Sequence, residues 1–560
     1  MMNKKPAVGI LETDVLVIGG GGAGMMAALA ASRKGCRVTL VDKGIPSKEC
    51  ATLMAKQLAA SGPWSFPEDS PGKHREDTLV SGCFINDRAL VDVFVNQAAS
   101  VIEELEAMGM LFEREPSGKT FFSGGQPPGH SYPRSLTYKE TTGKMIVDAL
   151  RRQAFRKGIP LISDRLVTHL LTANGRIQGV LLWNIAGGEI EEIQCEALIL
   201  ATGGCGQLYP MTSNPEQSTG DGYILGYEAG LELVDMEMFQ FYPVSLVCPK
   251  FLRGLNINFR GRLLNSRMER FMEKADPVNL ENVTRDRLSQ GIYREIKMGL
   301  GSPCGGVYLQ AADFDPEFFG KRYPTEYRYC LEAGIDLKTD LVEVAPAAHF
   351  MMGGLKIDPR CRTEIDGLFA AGEITGGLHG ANRLANNALM EIFVFGKIAG
   401  QGASECALNG KKGSPSPAQI DEAKGEIKRI LESKKRPIRG VQLKETIRQV
   451  MWEKVGVIRR VSELREGVDR LKTIREDLLP RLGVELSHRS YNRDAIEALE
   501  ACSMVNLALL IAQSALMRLE SRGAHCLEDF PEQNDQEYLK NVVVRKKGDG
   551  EAGLQLRAQD

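Results

Sequence analysis

The sequence has little that would tie it to a metal cluster, a membrane or a nucleic acid. Its twelve cysteines form no CxxC or CxxCH pair and no four-ligand cluster, so their spacing predicts no metal site, whether iron–sulfur, zinc or covalent haem. Lys and Arg number 70 against 72 Asp and Glu, and the net charge of -2 provides no field for nucleic acid. The longest late apolar run, 504–517, contains Asn506, Gln513 and Ser514. It is shorter than the ~20 residues of a membrane span and predicts a buried helix.

What remains is the composition of an ordinary globular protein. The 560 residues are 43% hydrophobic and 25% charged, and a chain of this length predicts two or three domains. A polar segment, 411–419, is typical of a linker. The first residues form a short polar lead without the apolar stretch of a signal peptide, so we expect a cytoplasmic protein with reduced thiols.

The first chemical motif lies near the start of the chain. An apolar segment, 15–18, leads into GGGGAG, an alanine-rich segment follows, and a second apolar segment, 37–41, ends at an acid. This order predicts strand, helix and strand, with three glycines in GxGxxG spacing that let backbone N–H groups approach a pyrophosphate. It favours a dinucleotide site over a glycine-rich turn that binds nothing. The residues expected to contact the cofactor here are Gly19, Gly21, Gly22, Ala23, Gly24, Asp42 and Lys43.

Two later stretches end an apolar strand in a turn of small residues. They are EALILATGG, 196–204, and GLFAAGE, 367–373. Each is a place where the chain can return to the same cofactor, and Glu373 adds a carboxylate for a ribose. The pattern favours a flavin, although on these motifs alone a nicotinamide dehydrogenase stays possible.

From Thr13 to about Pro531 the chain resembles the flavoprotein subunit of the fumarate reductase and succinate dehydrogenase family, which includes L-aspartate oxidase. The stretches that carry the resemblance are GGGGAG (19–24), TGDG (219–222), DMEMFQFYP (235–243), LLNSRMERFM (263–272), RD (285–286), HFMMGG (349–354), AAGE (370–373), HGANRLANNAL (379–389) and ESRGAH (520–525). The resemblance implies an α/β fold, with a Rossmann-like FAD-binding domain, an inserted α+β capping domain and a C-terminal helical domain.

We expect these domains to divide the chain as follows: FAD-binding domain 1–235 and 341–410, capping domain 236–340, helical domain 420–535 and tail 536–560. Apolar residues between 447 and 471 recur at helical spacing, with Arg and Glu between them. This periodicity independently predicts a bundle helix in the C-terminal part.

The resemblance also implies a reaction, the transfer of hydride between flavin N5 and one carbon of an activated C=C bond. His349 and Arg383 match the family residues that bind a substrate carboxylate, and Arg285 matches the family proton donor or acceptor. Without these motifs, the simpler interpretation of His349 would be a hydrogen-bonded interior histidine, and that of Arg383 a surface ion pair. For the pair Arg285 and Asp286 it would be a helix capped by Asp286. Further cofactor contacts are expected from Ala201, Thr202, Gly203, Asp221, Glu373, Asn387, Ala388 and Leu389.

The chain departs from the family at Tyr242, where relatives have a histidine that binds the second carboxylate. A phenol donates a hydrogen bond but does not become a cation. A family Thr-Glu pair would fall near Arg253 and Gly254, and no acid lies between Tyr242 and Glu269, so the usual proton relay is predicted to be missing or rerouted.

Two hypotheses follow from this departure. In the first, the substrate is an enoate with one carboxylate and a different far end, as in urocanate-type and other flavin-dependent 2-enoate reductases. In the second, a dicarboxylate still binds because Arg253, Arg260 or Arg262 supplies the missing positive charge.

Members with covalent flavin have a histidine in an S-H-T context, where this chain has Cys50, Ala51 and Thr52, with the next histidine at His74. We therefore expect non-covalent FAD. With no cluster or haem motif of its own, the chain is expected to pair with an iron–sulfur subunit, in the cytoplasm or at the cytoplasmic face of a membrane. A stand-alone oxidase resembling L-aspartate oxidase is one alternative. A flavin electron carrier without alkene chemistry is another, which the retained catalytic residues disfavour.

Overall fold

The computed structural model describes residues 11–114, 126–257, 261–311, 320, 323–410, 413–432, 438–484, 488–548 and 550–558. Its strands β1 to β17 are Leu11–Ile18, Val38–Val41, Gln57–Ala59, Ser135–Thr137, Leu161–Ile162, Arg165–Ala173, Arg176–Asn184, Glu189–Leu200, Leu233–Val234, Phe239–Leu246, Arg262–Leu264, Val307–Gln310, Leu341–Met351, Gly354–Leu355, Leu368–Ala370, Asn541–Lys546 and Ala552–Arg557. The α-helices are Gly22–Ser32, Pro71–Ser81, Arg88–Ala107, Thr142–Arg156, Asp221–Glu228, Met272–Ala275, Arg285–Lys297, Pro324–Glu332, Asn387–Asn409, Pro417–Leu431, Gly440–Lys454, Val461–Thr473, Arg493–Met517 and Asp535–Tyr538.

The largest sheet has the strand order β5-β2-β1-β8-β7-β6, with β15 also paired to β8. Strand β1 runs parallel to both β2 and β8, and its apolar residues 15–18 are buried, as expected for a strand covered on both faces. In register, Ile18 pairs with Leu200, and Leu200 pairs with Ala370 of β15. The loops after β1, β8 and β15 therefore meet at one edge of the sheet, as the Rossmann-like prediction requires.

A separate sheet of order β10-β13-β12-β11 forms the capping domain, and all of its pairs are antiparallel. Helix Arg285–Lys297 packs on this sheet, and the domain has its own apolar core, which includes Leu246, Ile292 and Val344. This α+β unit confirms the predicted architecture. Strand β13 belongs to the capping sheet, so that sheet extends past residue 341, where the sequence-based division returned to the FAD-binding domain.

The C-terminal part is helical, but the expectation of one helix across 447–471 is wrong. The segment forms two helices, Gly440–Lys454 and Val461–Thr473. Val455, Gly456, Val457 and Ile458 are poor helix formers. The buried Arg459 stabilises the break, because its guanidinium donates to the backbone carbonyls of Gly456 (3.1 Å) and Glu237 (2.9 Å).

The segment expected to be a tail is not a free end. Strands β16 and β17 form a hairpin, and β16 pairs antiparallel with β9, so these two strands complete a sheet of order β14-β9-β16-β17. Helix Arg493–Met517 precedes this hairpin. It is long and apolar enough to cross a membrane by length and composition alone, but 72% of its most apolar 18-residue window is buried within the protein. It serves as a core helix, as predicted.

Candidate functional site

A cavity opens where the loops after β1, β8 and β15 meet, and its space, counted together with the part open to solvent, is about 960 Å³. Its position at the carboxyl ends of these strands is where a sheet of this type binds a cofactor. Eleven of the residues that the sequence proposed for the cofactor line it: Gly19, Gly21, Gly22, Ala23, Asp42, Lys43, Ala201, Thr202, Gly203, Asp221 and Glu373.

The glycines of the first loop are required by close backbone approaches. Gly19 has φ +105°, and a Cβ there would lie 2.3 Å from the Ala201 carbonyl oxygen. A Cβ at Gly24 would lie 1.8 Å from the Gly19 oxygen, so Gly24 packs the helix onto the loop and does not line the cavity. Thr202 lines the cavity, and its buried hydroxyl has no hydrogen-bond partner among the described residues. The cradle therefore fits a dinucleotide that approaches the backbone closely.

Asp42, at the end of β2, shapes the same loop. Its Oδ2 accepts the Gly20 N–H (2.5 Å) and its Oδ1 accepts the Gly44 N–H (2.7 Å). Burial raises the pKa of Asp42, while these two N–H groups act against the rise. Each carboxylate oxygen has a second lone pair, so Asp42 can order the loop and still accept a ribose hydroxyl.

Lys43 joins the cavity to the helical domain. Its Nζ lies 2.6 Å from Asp221 and 2.8 Å from Glu500 of helix Arg493–Met517. Burial alone would lower the pKa of Lys43, but the two carboxylates raise it, so the lysine stays protonated. Glu500 in turn contacts Lys444 at 2.6 Å. The charge network therefore spans two domains.

Sequence reasoning missed several residues of the cavity wall. The wall also contains Glu49, Cys50, Ala51, Thr52, Arg165, Leu166, Val167, Gly204, Gln217, Ser218 and Ile392. Thr52 Oγ1 accepts the Gly22 N–H at 3.1 Å. Asn387, Ala388 and Leu389 do not line the cavity; they begin the helix whose Ile392 does, and Asn387 bonds His74 instead (2.8 Å). No histidine is among the described wall residues.

The four residues proposed for catalysis come together around Gln240, a residue of β10 that sequence reasoning passed over. Gln240 Oε1 accepts hydrogen bonds from Arg383 Nη2 at 2.8 Å and from Arg285 Nη1 at 3.3 Å. The Arg285 guanidinium carbon lies 5.0 Å from the ring centre of Tyr242, and this ring lies 5.2 Å from that of His349. Two guanidinium groups thus converge on one amide oxygen, beside two rings.

His349, on β13, is oriented by Ser213, whose hydroxyl lies 2.8 Å from Nδ1. Its Nε2 makes no hydrogen bond to the described residues. Burial, with Arg285 and Arg383 adding to it, holds the pKa of His349 well below its ordinary value. The imidazole is therefore neutral at pH 7, with one ring nitrogen available to a ligand.

Arg383 and Arg285 are the two cationic side chains of this cluster. The Arg383 side chain is buried, packs over the Phe350 ring at 4.7 Å, and has an Nε without a partner among the described residues. Burial, and then Arg285, lowers the pKa of Arg383 well below its usual range. Burial also lowers the pKa of Arg285. Within the described parts of the chain, neither guanidinium forms an ion pair, which is costly unless an anion enters between them.

Tyr242 presents its ring to this cluster, while its hydroxyl donates to the Ile257 carbonyl at 2.9 Å. Of the arginines proposed to replace the family's histidine, Arg253 is exposed, and its Nε lies 3.3 Å from the Met211 sulfur. Arg262 is exposed on β11, and Arg260 lies outside the described residues.

Glu373 connects the cavity with the cluster. It lines the cavity, and its Oε1 accepts the backbone N–H of Met351, two residues beyond His349, at 3.1 Å. Burial raises the pKa of Glu373 to about 7. Through β13, the wall of the cavity and the histidine of the cluster are thus held in one geometry.

Two family models match the chain. The FAD binding domain matches residues 14–389, and the fumarate reductase flavoprotein C-terminal domain matches residues 444–559. The chain is 37% identical over 550 residues to one of the subunits of the fumarate reductase (CoM/CoB) of Methanothermobacter marburgensis, covering 96% of this chain and 98% of the relative. It is 32% identical to L-aspartate oxidase of Yersinia pestis, covering 93% of this chain and 96% of the relative.

Solved structures agree. Mycobacterium smegmatis Sdh1, solved with UQ1, superposes with a TM-score of 0.89 at 32% identity, covering 98% of this chain and 94% of that one. The E. coli quinol fumarate reductase superposes with a TM-score of 0.91 at 27% identity, covering 98% of this chain and 97% of that one. The chain therefore belongs to the fumarate reductase and succinate dehydrogenase flavoprotein family, the FAD-dependent oxidoreductases that act on CH–CH groups.

Proposed function

We propose that the protein transfers hydride to a 2-enoate, or in the reverse direction from the corresponding saturated carboxylate, and that His349 and Arg383 hold the single carboxylate of this substrate. When FAD is bound, it supplies the hydride acceptor or donor at N5. The observation that carries the proposal is the convergence of Arg383 and Arg285 on Gln240 Oε1, at 2.8 and 3.3 Å. A carboxylate at this place would offer stronger acceptors than the amide.

The donors such a carboxylate would use are Arg383 Nε, which has no partner among the described residues, and the ring nitrogen of His349 that does not face Ser213. Arg383 is buried and His349 is half-buried, and a charge-assisted hydrogen bond is strong where little water competes for it. Holding the carboxylate fixes the adjacent C=C bond relative to the flavin and polarises it.

Arg285 is proposed to deliver or remove the proton at the second carbon. Its lowered pKa favours this role, because an arginine with an ordinary pKa rarely gives up its proton. The far end of the substrate would then lie against the Tyr242 ring, which has no charge to offer a second carboxylate. A flat or apolar group fits that face.

Fumarate is the second candidate substrate. It is favoured by the 37% identity, over 96% of this chain, to a relative named as part of a fumarate reductase (CoM/CoB). In that case a cation elsewhere in the site must bind the second carboxylate, because Tyr242 has no positive charge.

We further propose non-covalent FAD and an iron–sulfur partner subunit. The relatives named as subunits support a partner, whereas the L-aspartate oxidases are the relatives that favour a stand-alone enzyme. A cytoplasmic position, with membrane contact through partners only, accords with the burial of helix Arg493–Met517. Iron analysis of the protein purified from its native host tests for this partner. If an iron–sulfur subunit is bound, we expect iron to co-elute with the flavoprotein in stoichiometric amount.

The reaction is tested with Arg285→Gln and, as a matched control, Arg287→Gln. Both arginines lie on helix Arg285–Lys297, but Arg287 has a side chain 68% exposed. Oxidation of reduced viologen is followed with fumarate, acrylate, cinnamate and urocanate. We expect Arg285→Gln to lower kcat by about 10²- to 10⁴-fold, the usual contribution of a general acid, with flavin content unchanged. Activity equal to that of the control variant would contradict the role of Arg285, whereas a wild-type protein that turns over none of the four acids would favour an electron carrier.

A further inference from the structure

A second cluster of reactive side chains lies in the capping domain, at the end of the sheet opposite Tyr242 and His349. Cys248 follows β10, Cys304 lies in the turn before β12, and Glu343 is the third residue of β13. One ligand atom from each, two sulfurs and a carboxylate oxygen, lies within 4.8 Å of both others. The three residues are far apart in sequence, which is why cysteine spacing alone predicted no metal site.

The carboxylate is held in place by its surroundings. Glu343 Oε2 accepts the Cys304 N–H at 2.8 Å and a short hydrogen bond from the Ser302 hydroxyl. Ser302 is itself fixed, because its Oγ accepts the Gly306 N–H at 3.1 Å. On the other side, the Glu343 carbonyl accepts the Val247 N–H at 3.1 Å, which anchors the residue before Cys248. Such hydrogen bonds from a surrounding layer are what orients ligands at metal sites.

The two sulfurs and a Glu343 carboxylate oxygen all lie within 4.8 Å of one another. Two thiols and a carboxylate thus crowd a small volume with groups that carry negative charge when they bind a cation. A cation between them would relieve that repulsion.

The geometry suits a cation better than a disulfide. Zinc bonds of about 2.3 Å to sulfur and about 2.0–2.2 Å to oxygen separate neighbouring ligand atoms by roughly 3.3–3.8 Å. The observed separations, at most 4.8 Å, need little contraction to reach this arrangement. A disulfide needs the sulfurs at about 2.0 Å and would leave Glu343 without a role.

We propose that Cys248, Cys304 and Glu343 bind a thiophilic divalent cation, with Zn²⁺ as the reference ion. Cys304 is exposed, which provides an entry path from solvent and room for a water as fourth ligand. Each thiol releases its proton as its sulfur bonds the cation. Cys248 follows β10, which carries Tyr242, Glu343 lies on β13, which carries His349, and Cys304 lies in the segment after helix Arg285–Lys297. Occupancy would therefore stiffen the cap around the substrate cluster, whatever the substrate is.

The test uses the full-length, FAD-loaded protein, reduced and freed of metal, then titrated with Zn²⁺ against a chromophoric chelator and with Co²⁺ by absorbance. We expect one equivalent to bind, with a sulfur-to-cobalt charge-transfer band in the near ultraviolet. Cys304→Ser and Glu343→Gln should each weaken Zn²⁺ binding at least ~10-fold, and Cys304→Ser should diminish the band. The control is Cys502→Ser, on helix Arg493–Met517, where a serine can keep the hydrogen bond to Ala498.

Flavin absorbance shows that each variant is folded. Equal Zn²⁺ affinity in Cys304→Ser and the wild type would overturn the proposal, as would a cobalt spectrum without the sulfur band. Recovery of Cys248 and Cys304 as a disulfide from protein lysed in an alkylating buffer would also overturn it, because the thiols would then serve as a redox pair.

Discussion

Replacing Tyr242 with phenylalanine separates two roles for this residue. In the structure the hydroxyl donates to the Ile257 carbonyl at 2.9 Å, and the ring faces Arg285 and His349. If the ring is what the substrate meets, Tyr242→Phe should change kcat/KM for cinnamate and for fumarate by less than about threefold. Loss of a donor to the Ile257 carbonyl should reduce stability instead, by about 1–3 kcal/mol.

If the hydroxyl holds a substrate carboxylate, the expectation is different. A hydrogen bond to a charged group contributes about 1.5–3 kcal/mol, so its loss would lower kcat/KM roughly 10- to 150-fold, and for fumarate alone. Viologen-linked rates with both substrates, measured at equal flavin content, distinguish the two cases. A selective loss of fumarate turnover would refute the role assigned to the ring.

Three further results are expected. Gly19→Ala should lose most of its FAD, because the new Cβ would lie 2.3 Å from the Ala201 oxygen, whereas Gly425→Ala, with open space around it, should keep a full complement measured at 450 nm. Acid precipitation should release the flavin into the supernatant, and flavin in the pellet would contradict non-covalent binding. In the FAD-free protein, the raised pKa of Glu373, about 7 against an ordinary 4.5, makes the fold lose stability as pH rises from about 4.5 through 7, by about 3 kcal/mol. Urea midpoints at pH 5 and 7.5 should therefore fall more in the wild type than in Glu373→Gln, and an equal fall would contradict this assignment.

The sequence predicted those parts of the site that local patterns specify. The loop from Gly19 to Gly24 follows a strand and opens a helix, and its position in the fold was evident from those neighbours alone. Glu373 was found for the same reason, as the third residue after a short strand that ends at Ala370. The position of such residues in the fold is determined by the strand that precedes them.

Other parts depend on contacts between distant segments, which leave no local signal. Lys43 meets Glu500 across the domain boundary, and Ser213 orients His349 from a loop without regular structure. The break after Lys454 was missed because the apolar spacing continues through it. Arg459 stabilises the break through a hydrogen bond to the carbonyl of Glu237, a residue far away in sequence. Periodicity reports which face is buried and not whether the backbone stays helical.

Tyr242 also determines how Arg285 acquires its acidity. A histidine at this position would stand beside two guanidinium groups and His349, and when protonated it would add a positive charge that lowers the pKa of Arg285. Tyrosine adds none, and its effect on the pKa of Arg285 is in the opposite direction, so burial alone produces the lowering. The acid strength of Arg285 in this chain therefore depends on keeping water out of the cluster. If Arg285 transfers the proton, as we propose, the exclusion of water from the cluster is then a condition for that transfer.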